Sequence, residues 1–240
     1  MPKHITRKEL KKDEFRDTIS HGAEAVFSHQ AALWFYGGLV VLVVVAVLGW
    51  RFYTQRETTK AAAALSDAMH VYDARIRTAA EPAAPGELTY LDEKNKYNDA
   101  AAKFTAVADQ YPSTQPGIAA RYYAALSLSR AGRNDEALKD LTTLASGKDE
   151  GFSALARFQM AQIYDATGKE AQAVQAYQQL IDKPSVFVPK VVALLALADH
   201  YSTRDPAQAA KLYQQVKAQF PNTQAAQQAD QSLQLLPVKG

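Results

Sequence analysis

From Ala31 to Trp50 the chain runs twenty residues without a charge, and nine of the ten from Leu39 to Leu48 are Val or Leu. A helix of that length rises about 30 Å, the hydrocarbon thickness of a bilayer. Trp34, Phe35 and Tyr36 mark one end and Trp50, Phe52 and Tyr53 the other, as interfacial aromatics do. No other segment is apolar enough to enclose such a helix in a core. The pattern predicts a transmembrane helix over residues 31–53, with the lipid bilayer as its partner. Bulky Arg51-Phe52-Tyr53 follows the run, and there is no cysteine for a lipid, so an uncleaved signal anchor is expected.

Ahead of it, in residues 1–30, Thr6-Arg7-Lys8-Glu9 has the form of a capping box, with Ile5 and Leu10 placed as a hydrophobic staple. Phe15, Ile19, Ala23, Val26 and Phe27 then recur at helical steps beside Lys8, Lys11, Lys12 and Arg16. An amphipathic tail helix is expected, lying on the membrane surface or on a partner. After the span, Arg51–Ala79 contains no Gly or Pro, and Leu65, Met69, Tyr72 and Ile76 share a face, so the helix should continue. Glu81-Pro82-Ala83-Ala84-Pro85-Gly86 breaks it and reads as an inter-helix loop.

Residues 89–240 repeat. Gln172–Leu180 (QAVQAYQQL) returns 36 positions later as Gln208–Val216 (QAAKLYQQV). At the same spacing Ala156-Arg157-Phe158 matches Ala120-Arg121-Tyr122, Gly168 matches Gly132, and Ala173 matches Ala137. A small residue followed four positions later by a large one recurs as Ala100/Phe104, Ala137/Leu141, Ala173/Tyr177 and Ala209/Tyr213, with Pro112 and Pro221 after the first and last. The small residue lets two helix axes approach, the large one fills the gap, and glycine turns the chain. This resembles the tetratricopeptide (TPR) pattern of paired helices. Arg121 and Arg157 stand where that pattern has Trp, and Arg204-Asp205-Pro206 replaces the fourth turn's glycine, so the repeats are degenerate. Gln224–Leu236 reads as a polar C-terminal capping helix. The fold class is all-α: an amphipathic tail helix (1–30), a transmembrane signal anchor (31–53), a membrane-proximal helix and Pro/Gly loop (54–88), and a degenerate TPR-like α-solenoid (89–240).

Charge narrows the partners. Residues 1–30 hold six Lys/Arg and five Asp/Glu, whereas residues 54–240 hold twenty of each. A neutral domain offers no basic surplus for nucleic acid. The short tail's cations set the N-terminus in the cytosol and the repeats outside it. The five histidines are scattered, Asp199-His200 is adjacent on a helix so that the two side chains diverge, and no phosphate-binding glycine motif occurs. No enzyme, cofactor or metal is expected.

In span and repeats the whole chain resembles the ancillary subunit of the SecYEG translocon, a single-span bacterial inner-membrane family with a periplasmic TPR domain. The resemblance implies an all-helical adaptor that binds the Sec translocon and a periplasmic chaperone and assists emerging proteins. Two other readings stand beside it: a scaffold for outer-membrane or cell-wall assembly, and a regulator whose tail sequesters a cytosolic factor. Registering the repeats by Gly132, Gly168 and Tyr201 puts Tyr122, Phe158 and Leu195 at one equivalent position of the first helices. One turn on come Leu126, Gln162 and Asp199, with Arg130 and Asp165 at the rim. Such an apolar ladder with a polar edge suits an extended or helical apolar segment. Alternatively, a neighbouring helix such as Arg51–Ala79 fills it.

Overall fold

A computed structural model describes residues 30–237 of the chain; the tail helix expected over 1–30 lies outside them. The chain divides into two units, Met1–Arg56 and Glu57–Gly240.

Helix α1 is Gln30–Tyr72. Its part in the first unit carries the charge-free run, and no residue of its most apolar window is buried; the mean hydropathy there is 2.0. Trp34 is 81% exposed and Leu48 61%, so these side chains serve no protein core. The helix is long and apolar enough to cross a membrane.

Among the described residues of the second unit eight helices follow: α2 (Glu93–Gln110), α3 (Gln115–Arg130), α4 (Asn134–Ala145), α5 (Glu150–Ala166), α6 (Glu170–Asp182), α7 (Lys190–Tyr201), α8 (Pro206–Gln219) and α9 (Gln224–Leu235). Each packs on the next, as an α-solenoid requires. The C-terminal part of α1 joins this array as the first helix of the first repeat. Its Ala68 and Val71 are buried with Ala100, Phe104, Val107 and Ala108 of α2 and with Ala120 and Ala124 of α3. The repeat pairs are therefore α1/α2, α3/α4, α5/α6 and α7/α8, with α9 as the cap. Core is shared between neighbours throughout: Leu141, Ala125 and Ala156 meet across α3–α5, and Tyr177, Leu197 and Tyr213 across α6–α8.

Local chemistry sets the helix ends. Thr114, Asp149, Asp205 and Thr223 accept backbone N–H groups at the starts of α3, α5, α8 and α9. Two first helices end in the same closure. Arg133 N–H donates to the Leu128 carbonyl at 2.8 Å and Lys169 N–H to the Tyr164 carbonyl at 2.8 Å, each bond wrapping a glycine, Gly132 at φ 83° and Gly168 at φ 73°. A side chain at either glycine would be forced into the left-handed region. The fourth repeat turns without glycine, because Asp205 caps α8 and Pro206 is already set for a first helical position.

One expectation is corrected. The helix read over Arg51–Ala79 ends at Tyr72. Arg75–Ile76 form β1, paired in parallel with β2 (Thr89–Tyr90). Glu81 and Glu87 hold the Arg75 guanidinium, and Arg77 donates to Thr89 Oγ1 at 3.0 Å and to the Glu81 carbonyl at 2.7 Å. Arg75 in turn holds the Glu87 carboxyl below its ordinary range. These pairings across a dozen residues outweigh the local preference for helix. The segment read as a loop, residues 81–86, carries neither helix nor strand and joins β1 to β2 between the two helices of the first repeat.

Candidate partner-binding face

Four first helices (the end of α1, α3, α5 and α7) line one side of the array, and the residues aligned on them behave as two groups. Tyr122, Leu126, Phe158 and Leu195 are half-buried and Gln162 is exposed. Each aromatic has one side taken. Tyr122 packs its ring against Tyr123 at 5.8 Å and Phe152 at 6.0 Å, and burial pushes its hydroxyl up to about 12. Phe158 meets Tyr177 edge-on at 6.1 Å. Leu195 leans on the core of the third and fourth repeats, and Leu126 belongs to no core cluster. The side chains left on the face are uncharged.

The residues aligned as a charged edge are bound within the chain. Arg130 sits over the rings of Tyr72 (5.6 Å) and Tyr97 (5.1 Å) and donates to the Tyr97 hydroxyl, tying α3 to α1 and α2. Asp165 accepts from Arg204 at 2.9 Å and lies 2.9 Å from Nδ1 of His200, whose side chain is 1% exposed. Asp199 accepts from the Tyr213 hydroxyl. Asp199 and His200 thus diverge to different partners, as their adjacency on a helix requires.

The C-terminal end of α1 is held by its last aromatic. Tyr72 meets Tyr97, Phe104 and Tyr123, all in the first repeat or its border with the second. Arg121 and Arg157, in place of the pattern's Trp, brace each first helix on its neighbours. Arg121 reaches Asp109 at 3.2 Å and Asp140 at 3.6 Å, and Arg157 donates to the Ala145 carbonyl at 2.6 Å.

Sequence reasoning missed Phe152, which continues the Tyr122 row to Phe187 in the α6–α7 loop, stacked at 6.4 Å. It also missed the polar ties between repeats. A usable signal was present. Arg130–Tyr97, Gln115–Asp149, His200–Asp165 and Arg204–Glu170 are 33, 34, 35 and 34 residues apart, each one to three short of the 36-residue repeat. Among the described residues no group of three His, Cys, Asp or Glu is placed to hold a metal.

Residues 34–190, more than half of the chain, match the family model described as a tetratricopeptide repeat-like domain, and residues 192–223 match a tetratricopeptide repeat. No curated protein and no solved structure matches. Repeats of this kind are protein–protein interaction scaffolds and are generally non-catalytic.

Proposed function

The chain belongs to the tetratricopeptide repeat-like domain family, and from that footing we propose that it is a membrane-anchored adaptor whose repeat face holds an apolar segment of a protein partner. The apolar part of α1 is the anchor, in a bacterial inner membrane, with the N-terminus cytosolic and the repeats periplasmic. The family match begins at residue 34 and so takes in both the apolar helix and the repeats, which supports treating them as one device.

One observation carries the reading. The face formed by Tyr122, Leu126, Phe158, Gln162 and Leu195 is uncharged and partly open, while Arg130, Asp165 and Asp199 are held by partners inside the chain. A floor of that kind accepts an extended or amphipathic apolar segment through shape and burial. Proteins leaving a translocation channel present such segments before they fold. The role that fits is an ancillary factor of the SecYEG translocon, handing clients to a periplasmic chaperone.

A photoreactive residue at Gln162, in living cells, tests this. Adducts with translocon or chaperone subunits are expected, with none from the exposed Lys139 on α4. Adducts with cell-wall or outer-membrane assembly proteins would overturn the translocon role and keep the face. No adduct from Gln162 above the Lys139 level would overturn the face itself. Protease added to spheroplasts checks the orientation: the repeat unit should be digested, and its protection would invert the topology.

A further inference from the structure

The α6–α7 connection displays two large apolar side chains that no helix covers. It reads Lys183-Pro184-Ser185-Val186-Phe187-Val188-Pro189, with Lys190 opening α7. Val186 is 93% exposed and Phe187 60%. The display is built. Ser185 N–H donates to the Val188 carbonyl at 3.1 Å and Val188 N–H to Ser185 Oγ at 3.0 Å, closing a turn around the pair. Val188, 2% exposed, anchors that turn in the core. Phe187 rests one ring face on Phe152 and crosses Gly151 so closely that a Cβ there would lie 2.3 Å from the ring. The turn holds its tip outward, with more than half of Phe187 exposed.

Its place in the array matters. Second helices run back against first helices, so the first helices all start on one edge. Gln115, opening α3, donates to Asp149, the cap of α5, at 2.9 Å; Phe152, in the first turn of α5, stacks on Phe187 ahead of α7. Tyr72, the last residue of α1, lies under Arg130, the last residue of α3, so α1 runs in the same direction. The Val186–Phe187 tip therefore shares the edge at which the chain enters the repeat unit. Exposed apolar residues on the opposite edge have different company: Leu91, 58% exposed, is followed by Asp92 and Glu93. The tip at the entry edge is flanked by Lys183 and Lys190, and no ion pair among the described residues takes up either lysine; of the acids on the same edge, Asp149 accepts from the Phe152 N–H and Gln115, Asp182 accepts from Gln178, and Glu150 is exposed beside Lys148.

We infer that Val186 and Phe187 seat in the headgroup layer of the bilayer that α1 enters, with Lys183 and Lys190 on lipid phosphates. Two apolar side chains and two cations are a weak membrane contact alone, but they act here as a second contact for a chain already tethered. This inference rests on the reading of α1 as a span, and the experiment separates the two.

Because the chain contains no cysteine, one introduced thiol reports one position. Full-length protein with an environment-sensitive fluorophore at Val43→Cys, Val186→Cys or Leu91→Cys is reconstituted into vesicles of phosphatidylethanolamine and phosphatidylglycerol carrying spin-labelled lipid. Quenching is expected at Val43 and at Val186, and not at Leu91. The pair Lys183→Glu and Lys190→Glu should abolish quenching at Val186 and leave Val43 as it was. Quenching at Val43 without Val186 overturns the seated tip and keeps the span. No quenching at Val43 overturns the span and the tip together. A Val186 probe that lipids do not quench, but that an added protein shields from a soluble quencher, assigns the tip to a protein partner and also overturns the inference.

Discussion

The first and third repeats bury the same pattern of small and aromatic residues, Ala68 with Ala100 and Phe104 in one, Ala161 with Ala173 and Tyr177 in the other. They close it by opposite means. In the third, Gly168 turns the chain directly from α5 into α6, and Lys169 at the start of α6 contributes no side-chain cap. In the first, the insertion with β1 and β2 separates α1 from α2; Asp92 caps α2, and Arg130 reaches in from the second repeat to clasp Tyr72 and Tyr97. The helix pair is specified by its buried positions, so the connection is free to vary. Where the tight turn is absent, polar side chains from a neighbour supply the order it would have given.

The largest effect should come from the shared core. Phe104 is fully buried against Tyr72 and Tyr123, at 6.0 and 5.4 Å between ring centres. Phe104→Ala should cost about 3–5 kcal/mol in denaturant unfolding, the scale for a deleted core aromatic. A loss under roughly 1 kcal/mol would mean the first repeat is held by its insertion and not by its core.

Alkaline pH should then separate the two regions. Burial pushes the hydroxyls of Tyr177 and Tyr213 up to about 12, helped by Asp165 and Asp199 for the first and by the bond to Asp199 for the second. In the first repeat burial raises Tyr72 against the pull of Arg130, and Tyr90, pushed up to about 12 by burial and its bond to Asp99, lies in β2 outside the helix pair. A raised folded pKa contributes stability that is complete below the unfolded value of about 10 and disappears as pH climbs through about 12. Tyrosinate absorbance and loss of helix should therefore rise together above pH 10, in the second to fourth repeats, whose helices carry Tyr122, Tyr177 and Tyr213, before the helix pair of the first. Hydrogen exchange measured across that range would show which repeats open first, and simultaneous opening would erase the distinction.

Gly168→Ala should cost about 1–2 kcal/mol, because alanine must adopt a left-handed backbone there. The first repeat has no glycine at the end of its first helix, so no matching substitution exists in it. The smallest contrast concerns caps. Asp92 accepts the Asn95 N–H at 2.8 Å, and Asp92→Ala should cost about 1 kcal/mol. Lys169→Ala should stay within roughly 0.5 kcal/mol of the parent. Equal effects at the two positions would contradict the division between capped and glycine-turned closures.

What the sequence disclosed follows the same division. Ala100/Phe104, Ala137/Leu141, Ala173/Tyr177 and Ala209/Tyr213 were legible as the packing positions, and none of the eight exceeds 3% exposure. Burial imposes a period, and a period is visible in one dimension. The β1–β2 pairing was not legible, because two extended residues carry no period and acquire their conformation from partners a dozen residues away. The charge-bearing edge of the ladder was aligned in register, yet its engagement by Tyr97, Arg204 and Tyr213 depends on side chains one repeat or one helix away. Phe187 was hidden for a related reason: its contact with Phe152 exists only once α5 and α6 have brought the loop back to the start of α5.

The central claim is that an uncharged face on the first helices takes a partner's apolar segment, and Leu126 is the position that tests it most directly. It is half-buried on α3 and belongs to no core cluster, so a charge there should disturb the face more than the fold. Crosslinking from a photoreactive residue at Gln162 is compared in full-length protein with and without Leu126→Glu, alongside thermal unfolding of each. The predicted result is a loss of adduct of roughly tenfold or more, equivalent to at least 1.4 kcal/mol of binding, with unfolding close to that of the parent. An unchanged adduct yield, or a loss that appears only together with unfolding, would contradict the claim.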